Sequence, residues 1–515
     1  MSKKTPAIST TIIERPPVVA VMGHIDHGKS TLLDHIRKTN TCAKEAGGIT
    51  QHIAAYEVCH TRGTKKNLIT FLDTPGHAAF KGIRVRGANV ADIAILIVSA
   101  EEGVKPQTVE ALNCIKEAGI PYIVGINKMD SPKANLERTK QSLAEHEIYI
   151  EGYGGQISWA GISGKTGEGV PELLDLVLLT AELAELKGDL SKKAEGIVIE
   201  SKLDPRKGIS GTLIIKDGTL KKGTFVVCDT SITPVRAIED FTGARIEEAR
   251  FSSPVKLLGF DSTPTIGEIF RVFDNKRDAE AAVAEAVTKK SAAKIGKSGA
   301  KNGAGATVAV DASESVTITL IIKADVSGTM EAIQHEIAKI KNDKVQIKLV
   351  QSGVGTITEA DVKMAVVQPG TKILGFNVAV DTQAKMMGER LNVEMHSFDI
   401  IYKLIEWIEE TVTKNVPKIT AEEVSGTAKI LKIFSKTKDK QVVGGRVLGG
   451  IVNIGADVRI MRRDSEIGKG KIRELQQKKE KVSEVNKDSE FGTMIESKIE
   501  IAPGDQIECY SLVTK

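Results

Sequence analysis

The stretch that most limits what this chain can fold into is residues 18–31, Val-Val-Ala-Val-Met-Gly-His-Ile-Asp-His-Gly-Lys-Ser-Thr. The apolar run Val18–Met22 predicts a buried strand that breaks at Gly23, loops to Gly28-Lys29-Ser30 and enters a helix over Thr31–Arg37. Gly-x-x-x-x-Gly-Lys-Ser in that strand–loop–helix setting predicts a phosphate cradle. Backbone N–H groups of Gly23, His24, Ile25, Asp26, His27 and Gly28 would wrap the phosphates, and the positive end of the new helix at Ser30 and Thr31 would face them. Gly23 and Gly28 supply backbone angles that a Cβ would obstruct. Lys29 would reach the terminal phosphates and the Ser30 hydroxyl would ligate Mg²⁺. The plain alternative, a glycine turn, leaves the downstream motifs unexplained.

Those motifs fall at the ends of further apolar runs. Asp73-Thr74-Pro75-Gly76-His77 follows Leu68–Leu72. Asp73 would hold the Mg²⁺ shell through water, the Gly76 N–H would bond the γ-phosphate, and His77 would orient the attacking water. Asn127-Lys128-Met129-Asp130 follows Pro121–Ile126. The Asp130 carboxylate can accept from both N1–H and the exocyclic amine of guanine, a donor pair that adenine lacks, so the site would select GTP over ATP. Lys128 would lie along the base and Asn127 would brace the loop. Ser163-Gly164-Lys165, after Ile157–Ile162, would offer a backbone N–H to the guanine oxygen. Within Glu45-Ala-Gly-Gly-Ile-Thr-Gln-His52, Thr50 is the expected second Mg²⁺ hydroxyl, in a segment ordered by the γ-phosphate. Six of the nine histidines lie in the first 77 residues, but no spacing among them suits a metal, and Mg²⁺ with oxygen ligands explains the region better.

A chain of 515 residues is too long for one core. The expected fold class is multidomain α/β plus β. Residues 1–15 read as a disordered tail. Residues 16–187 alternate strands and amphipathic helices, which predicts a doubly wound, mostly parallel sheet that binds ligands at the strand ends. Residues 188–285 carry short β-branched runs between glycine turns and predict a β-barrel, with a helix near Ala279–Ala286. Residues 286–315, rich in Ala, Gly, Lys and Ser, read as a flexible linker. A second α/β/α unit is expected over 316–398, a linking helix over 399–413 and a C-terminal β-barrel over 414–515. No run approaches the ~18–20 apolar residues of a membrane span. Five scattered cysteines without a Cys-x-x-Cys pair suit a reducing cytoplasm. Residues 414–515 hold 20 Lys and Arg against 15 Asp and Glu, while the remainder holds 51 against 52. The positive excess therefore sits in the last domain and points to an anionic partner there.

Gly-His-Ile-Asp-His-Gly-Lys (23–29), Glu-Ala-Gly-Gly-Ile-Thr-Gln-His (45–52), Phe-Leu-Asp-Thr-Pro-Gly-His-Ala-Ala-Phe (71–80) and Gly-Val-Lys-Pro-Gln-Thr (103–108) together resemble the translational GTPases. Within them the chain is most similar to bacterial translation initiation factor two, from Arg15 nearly to its end. That resemblance implies a cytoplasmic, ribosome-stimulated GTPase, monomeric off the ribosome. It would place formylmethionyl initiator tRNA on the small ribosomal subunit and promote joining of the large one. It also implies that the terminal barrel holds the acylated end of the tRNA. Gly445 and Phe491 stand there where bacterial members commonly carry cysteines, Gln477 where an arginine is usual, and Glu490 lies beside them; an acyl pocket reshaped by the Phe491 ring is expected. Ser163-Gly-Lys replaces the usual Ser-Ala-Lys, and the long N-terminal extension of many members is expected to be absent. An elongation or rescue factor, or a scaffold holding nucleotide without hydrolysing it, would share parts of this pattern.

Overall fold

The computed structural model describes residues 12–38, 51, 53–204, 207–298, 316–342, 344–416, 420–437, 439–463, 465–478 and 480–514. The chain forms two compact units, Met1–Asn415 and Val416–Lys515. The first opens on a six-stranded sheet made of β1 (Val18–Gly23), β2 (Ala54–Arg62), β3 (Lys65–Asp73), β4 (Ile93–Ser99), β5 (Tyr122–Asn127) and β6 (Trp159–Gly161), in the spatial order β2-β3-β1-β4-β5-β6. Only the β2–β3 hairpin is antiparallel. Every residue of β1 and β4 is buried, which is why these strands read as unbroken apolar runs rather than alternating ones.

Helices α1 (Lys29–Arg37), α2 (Lys81–Val90), α3 (Pro106–Ala118), α4 (Leu136–Glu145) and α5 (Val170–Leu183) connect the strands. On one face Leu32 and Ile36 of α1 and Leu173 and Val177 of α5 pack on Val19, Val21, Ile95 and Ile97. On the other, α2 comes so close that a Cβ on Gly87 would stand 2.7 Å from the Thr74 methyl and 3.8 Å from that of Met22. The strand order reverses around β1, so the loop after β1 opens into the crevice that such sheets offer to ligands.

A curled antiparallel sheet between Glu195 and Phe273 follows, its interior filled by Val198, Leu213, Val226, Phe251, Leu257 and Phe270. This is the first β-barrel. Next, α6 runs over Lys276–Ser298. Here the structure corrects the expected flexible linker: helix persists well past residue 286, because the Ala- and Lys-rich composition favours helix and only Gly296, near the end, interrupts it. Residues 299–315 lie outside the described residues. A four-stranded parallel sheet, Val345–Val354, Val316–Ala324, Lys372–Phe376 and Met395–Phe398 in spatial order, carries α7 (Ser327–Lys339), α8 (Glu359–Val367) and α9 (Thr382–Leu391). The last helix, α10, spans Ile401–Lys414. Phe398, just before it, pairs with Phe376 at the edge of the sheet.

The second unit is closed. Thr420–Lys436, Gln506–Thr514, Asp457–Arg462, Ser465–Gln477, Glu490–Ser497 and Lys440–Asn453 pair in that order, and the last returns to pair with the first. Closure removes free sheet edges. Val443, Val447, Ile460, Ile472, Ile495 and Ile507 fill the barrel.

The expected disordered tail is corrected at its end only, residues 1–11 lying outside the described residues. Ile12–Glu14 pairs antiparallel with Lys187–Asp189, and Arg15 then reaches a buried carboxylate. Asp92 accepts from Arg15 Nη1 at 2.6 Å and Nη2 at 2.7 Å, from Lys216 Nζ of the first barrel at 2.7 Å and from the Val18 N–H at 2.9 Å. Burial raises the Asp92 pKa, but the Arg15 hydrogen bonds and the Lys216 and Arg15 charges together outweigh it, and the net shift is downward. One carboxylate thus ties the N-terminal strand and the barrel to the base of β1. Removing it strands two cations, so Asp92→Asn should lower stability by about 3 kcal/mol, read as a reduced midpoint in urea unfolding.

Candidate functional site

The crevice at the end of β1 gathers the motifs. Gly23 has φ 145° and Gly28 φ 81°. A Cβ on Gly23 would lie 2.4 Å from the Ile97 carbonyl oxygen, and one on Gly28 would lie 2.4 Å from Asn127 Nδ2. Between them Asp26 also takes a left-handed conformation, φ 62°. The Ile25 N–H donates to Gln107 Oε1 on α3 at 3.0 Å. Lys29 Nζ donates to the Gly23 oxygen at 2.9 Å and the His24 oxygen at 2.6 Å. Burial, opposed by Asp73 and reinforced by Arg84, lowers its pKa to about 8.

His27 is wholly buried, with Nδ1 3.4 Å from the Ile97 oxygen, and burial brings its pKa down to about 3. His24 packs edge-on against it, 4.9 Å between centroids, and is shifted down mainly by burial and by Lys29. Both therefore line the loop as neutral rings rather than as cations.

Asn127 joins two loops. Its Nδ2 donates to the His27 oxygen at 2.8 Å and the Gly28 oxygen at 3.2 Å, while its Oδ1 accepts from the Gly164 N–H at 2.9 Å. The structure thus brings Ser163, Gly164 and Lys165 to the phosphate loop through one carboxamide. Ser163 Oγ donates to Asp130 Oδ1 at 2.7 Å and accepts from the Thr166 N–H at 3.0 Å, which fixes the Asp130 carboxylate. Lys128, at φ 66°, donates to Glu101 Oε2 at 3.0 Å.

The Asp73–His77 loop closes over Lys29. Thr74 Oγ1 donates to the Val21 oxygen at 2.8 Å. Gly76 presses so near that a Cβ there would sit 2.5 Å from Lys29 Nζ and 3.1 Å from the Ile25 nitrogen. His77 Nδ1 accepts from the Ala79 N–H at 2.7 Å, so its ring proton resides on Nε2, which has no hydrogen-bond partner among the described residues. Burial, opposed by Glu336 and reinforced by Arg84 and Lys339, lowers its pKa to about 4.

Arg84 is the residue that sequence reading missed. It is fully buried and gathers the Pro75, Gly76 and His77 carbonyls around one guanidinium, held in turn by Glu110 at 2.7 Å. Its position in the helix after the Asp-x-x-Gly loop was the available signal. Gln107 and Glu101 were also missed, although Gln107 lies in a motif already singled out.

Thr50 lies outside the described residues. Ser30 and Asp73 remain as the expected magnesium ligands, and their hard oxygen donors suit that ion. No cluster of three or more His, Cys, Asp or Glu that could hold a metal occurs among the described residues.

In the C-terminal unit Gly445 and Phe491 are direct cross-strand partners, and Glu490 faces Arg446. A cavity of about 720 Å³ adjoins them, lined among others by Phe434, Val442, Gly444, Gly445, Glu490 and Phe491. A Cβ on Gly445 would stand 3.0 Å from the Phe491 ring and 2.6 Å from the Lys429 oxygen. The bulk at 491 and the missing Cβ at 445 are one packing solution. Gln477 pairs with Glu480 instead.

The sequence comparisons agree with this architecture. Residues 14–182 match the family model of the elongation factor Tu GTP binding domain, 193–273 that of elongation factor G domain 2, and 297–409 that of translation-initiation factor 2. The fold and these matches define a GTP-binding protein of the translational class. Translation initiation factor IF-2 of Rubrobacter xylanophilus is 40% identical over 502 residues, covering 98% of this chain and 72% of that protein. IF-2 of Lachnoclostridium phytofermentans is 40% identical over 98% of this chain and 44% of its own, and IF-2 of Phenylobacterium zucineum 43% identical over 97% and 50%. The chain belongs to the translation initiation factor IF-2 family, and it spans about half the length of several of these relatives. Among solved structures, GDP-bound aIF5B from Aeropyrum pernix aligns with 96% of this chain and 92% of that one, at 27% identity and a TM-score of 0.45.

Two outcomes follow from the burial. Lys29→Met removes a buried cation that donates to the Gly23 and His24 carbonyls, so the melting temperature without nucleotide should hold or rise, while GTP affinity should fall at least ~100-fold. His77 and His27 are held neutral with pKa values of about 4 and about 3 against an ordinary 6.5. Their contribution to stability is complete above pH 6.5 and is lost as pH falls through those values. Denaturation midpoints should therefore decline below pH 6.5, with a shallower decline in His77→Gln.

Proposed function

We propose that this chain is a GTP-driven switch of translation initiation that binds formylmethionyl initiator tRNA, acts on the small ribosomal subunit and promotes subunit joining, hydrolysing GTP when the ribosome assembles. The observation that carries the nucleotide half is the Asn127 carboxamide. It holds the phosphate loop and the 163–165 loop together, so that Asp130, braced by Ser163, faces a base whose phosphates lie over Lys29. Asp130 accepts from guanine N1–H and the exocyclic amine, Lys128 covers the base, and the Gly164 and Lys165 backbone completes the pocket. Ser30, Thr50 and Asp73, the last through water, would hold magnesium, which screens phosphate charge when bound.

Hydrolysis follows from the chain's own groups. A phosphoryl oxygen reaching Lys29 meets Gly76 first, so the Asp73–His77 loop senses whether a terminal phosphate is present. His77 is neutral with its proton on Nε2, and it therefore orients water by donating a hydrogen bond rather than by removing a proton. Arg84 is committed to three backbone carbonyls and cannot serve as a charge-stabilising finger. The unassisted reaction is accordingly slow, and the ribosome supplies the remaining ordering. In the terminal barrel, Gly445, Glu490 and Phe491 border the cavity that would take the acylated end of the tRNA, consistent with the local positive charge. No helix among the described residues is long and apolar enough to cross a membrane.

Asp130→Asn should exchange GTP for xanthosine triphosphate in a nucleotide titration; unchanged GTP affinity removes Asp130 from the base. Loss of residues 416–515 should leave GTP binding intact and abolish protection of the initiator tRNA ester from hydrolysis. Equal protection of formylated and unformylated tRNA by the whole chain would instead favour an elongation or rescue role.

A further inference from the structure

The His77 ring packs against a residue that none of the site motifs contains. Tyr402, in the first turn of α10, meets the His77 ring edge-on at 4.0 Å between centroids, while Phe80 meets it at 5.8 Å. Such edge-to-face pairs are directional and fix the mutual angle of the two rings. The start of α10 is itself clamped. Gln51 Nε2 donates to the Asp399 oxygen at 2.9 Å, and Gln51 Oε1 accepts from the Ile401 N–H at 3.4 Å. Gln51 is buried although it is polar and belongs to the segment expected to respond to the γ-phosphate. One side chain therefore connects that segment to the backbone that carries Tyr402.

The surroundings favour the arrangement. Asp26 of the phosphate loop and Glu336 of α7 both face Tyr402, and with burial they raise its pKa, so the phenol stays neutral. Glu336, Arg84 and Lys339 face His77. With Nδ1 satisfied by Ala79 and one ring face under Tyr402, the imidazole has little freedom to turn toward the position of an attacking water.

We propose that Tyr402 is a positioning residue for hydrolysis: the first turn of α10, clamped by Gln51, holds the His77 ring side-on and keeps the basal reaction slow until α10 shifts. The inference deepens the GTPase reading and rests on it. α10 runs from Ile401, one residue before Tyr402, to Lys414.

The test uses the full chain. Basal GTP hydrolysis without ribosomes should rise about tenfold in Tyr402→Ala, as a minor orientation of His77 becomes common, with KM and melting temperature near those of the unaltered protein. Tyr402→Phe keeps the ring and should restore the slow rate. Gln51→Ala should raise the rate in the same direction, which keeps the test open if Tyr402→Ala fails to fold. In spectra of protein carrying ¹³Cε1-labelled histidine, the His77 signal, identified by its loss in His77→Gln, should move in Tyr402→Ala and stay in place in Tyr402→Phe. Unchanged or lower basal rates in both Tyr402→Ala and Gln51→Ala overturn the proposal, as does a His77 signal indifferent to the ring at 402. Absence of hydrolysis in every protein, ribosomes included, overturns the GTPase reading instead, and the spectra still decide the placement of His77.

Discussion

A lysine ammonium buried beneath a glycine loop is the constraint on which the site depends. Lys29 gives its protons to two carbonyls of its own loop, and Gly76 lies directly over it. Carbonyl dipoles compensate a buried cation only partly, which is why its pKa falls. A phosphate anion compensates it fully. On the function proposed above, anion binding at Lys29 and movement of the Gly76 loop would be coupled, because Gly76 lies against the ammonium.

The same movement reaches far through few residues. Arg84 gathers the carbonyls of Pro75, Gly76 and His77, so that stretch of loop moves as a piece. Arg86, two residues on in α2, pairs with Glu331 of α7, and a Cβ on Gly328 would come within 3.2 Å of Ile83. Ser201 of the first barrel meets Ser327 at the start of α7 at 2.8 Å. The second α/β unit thus rests on the helix that follows the Asp73–His77 loop, and α10 rests on His77 itself.

The terminal barrel illustrates a different kind of dependence. Read singly, Gly445 and Phe491 look like two losses from an expected pocket. As cross-strand partners they are a single exchange of volume, since the ring fills the space that a side chain at 445 would need. Gly444 makes room for Phe434 in the same way, with its absent Cβ 2.7 Å from that ring. The pocket is consequently shaped by aromatic faces over glycine backbone, next to Glu490.

Patterning alone was enough to place the five parallel strands of the nucleotide domain, because both faces of a parallel sheet are buried and each strand becomes an apolar run; the half-buried antiparallel edge strand Ala54–Arg62 gave no such run and was not foreseen. The motifs at the strand ends were legible for the same reason: local spacing sets which backbone groups face a ligand. Arg84, the Asp92 junction and the Tyr402 contact were not legible. Each joins residues whose meeting is decided by how helices and barrels dock, and an arginine, an aspartate or a tyrosine on an amphipathic element looks like any solvated residue until its partner is known. The continuation of α6 past residue 286, as far as Ser298, was misread because a flexible composition and a helical one share Ala and Lys. What the amino-acid order determined by itself was the chemistry available at each strand end. Which of those groups are buried, paired and held still was decided only by the tertiary structure, since burial and long-range contact, not composition, set their charge and freedom.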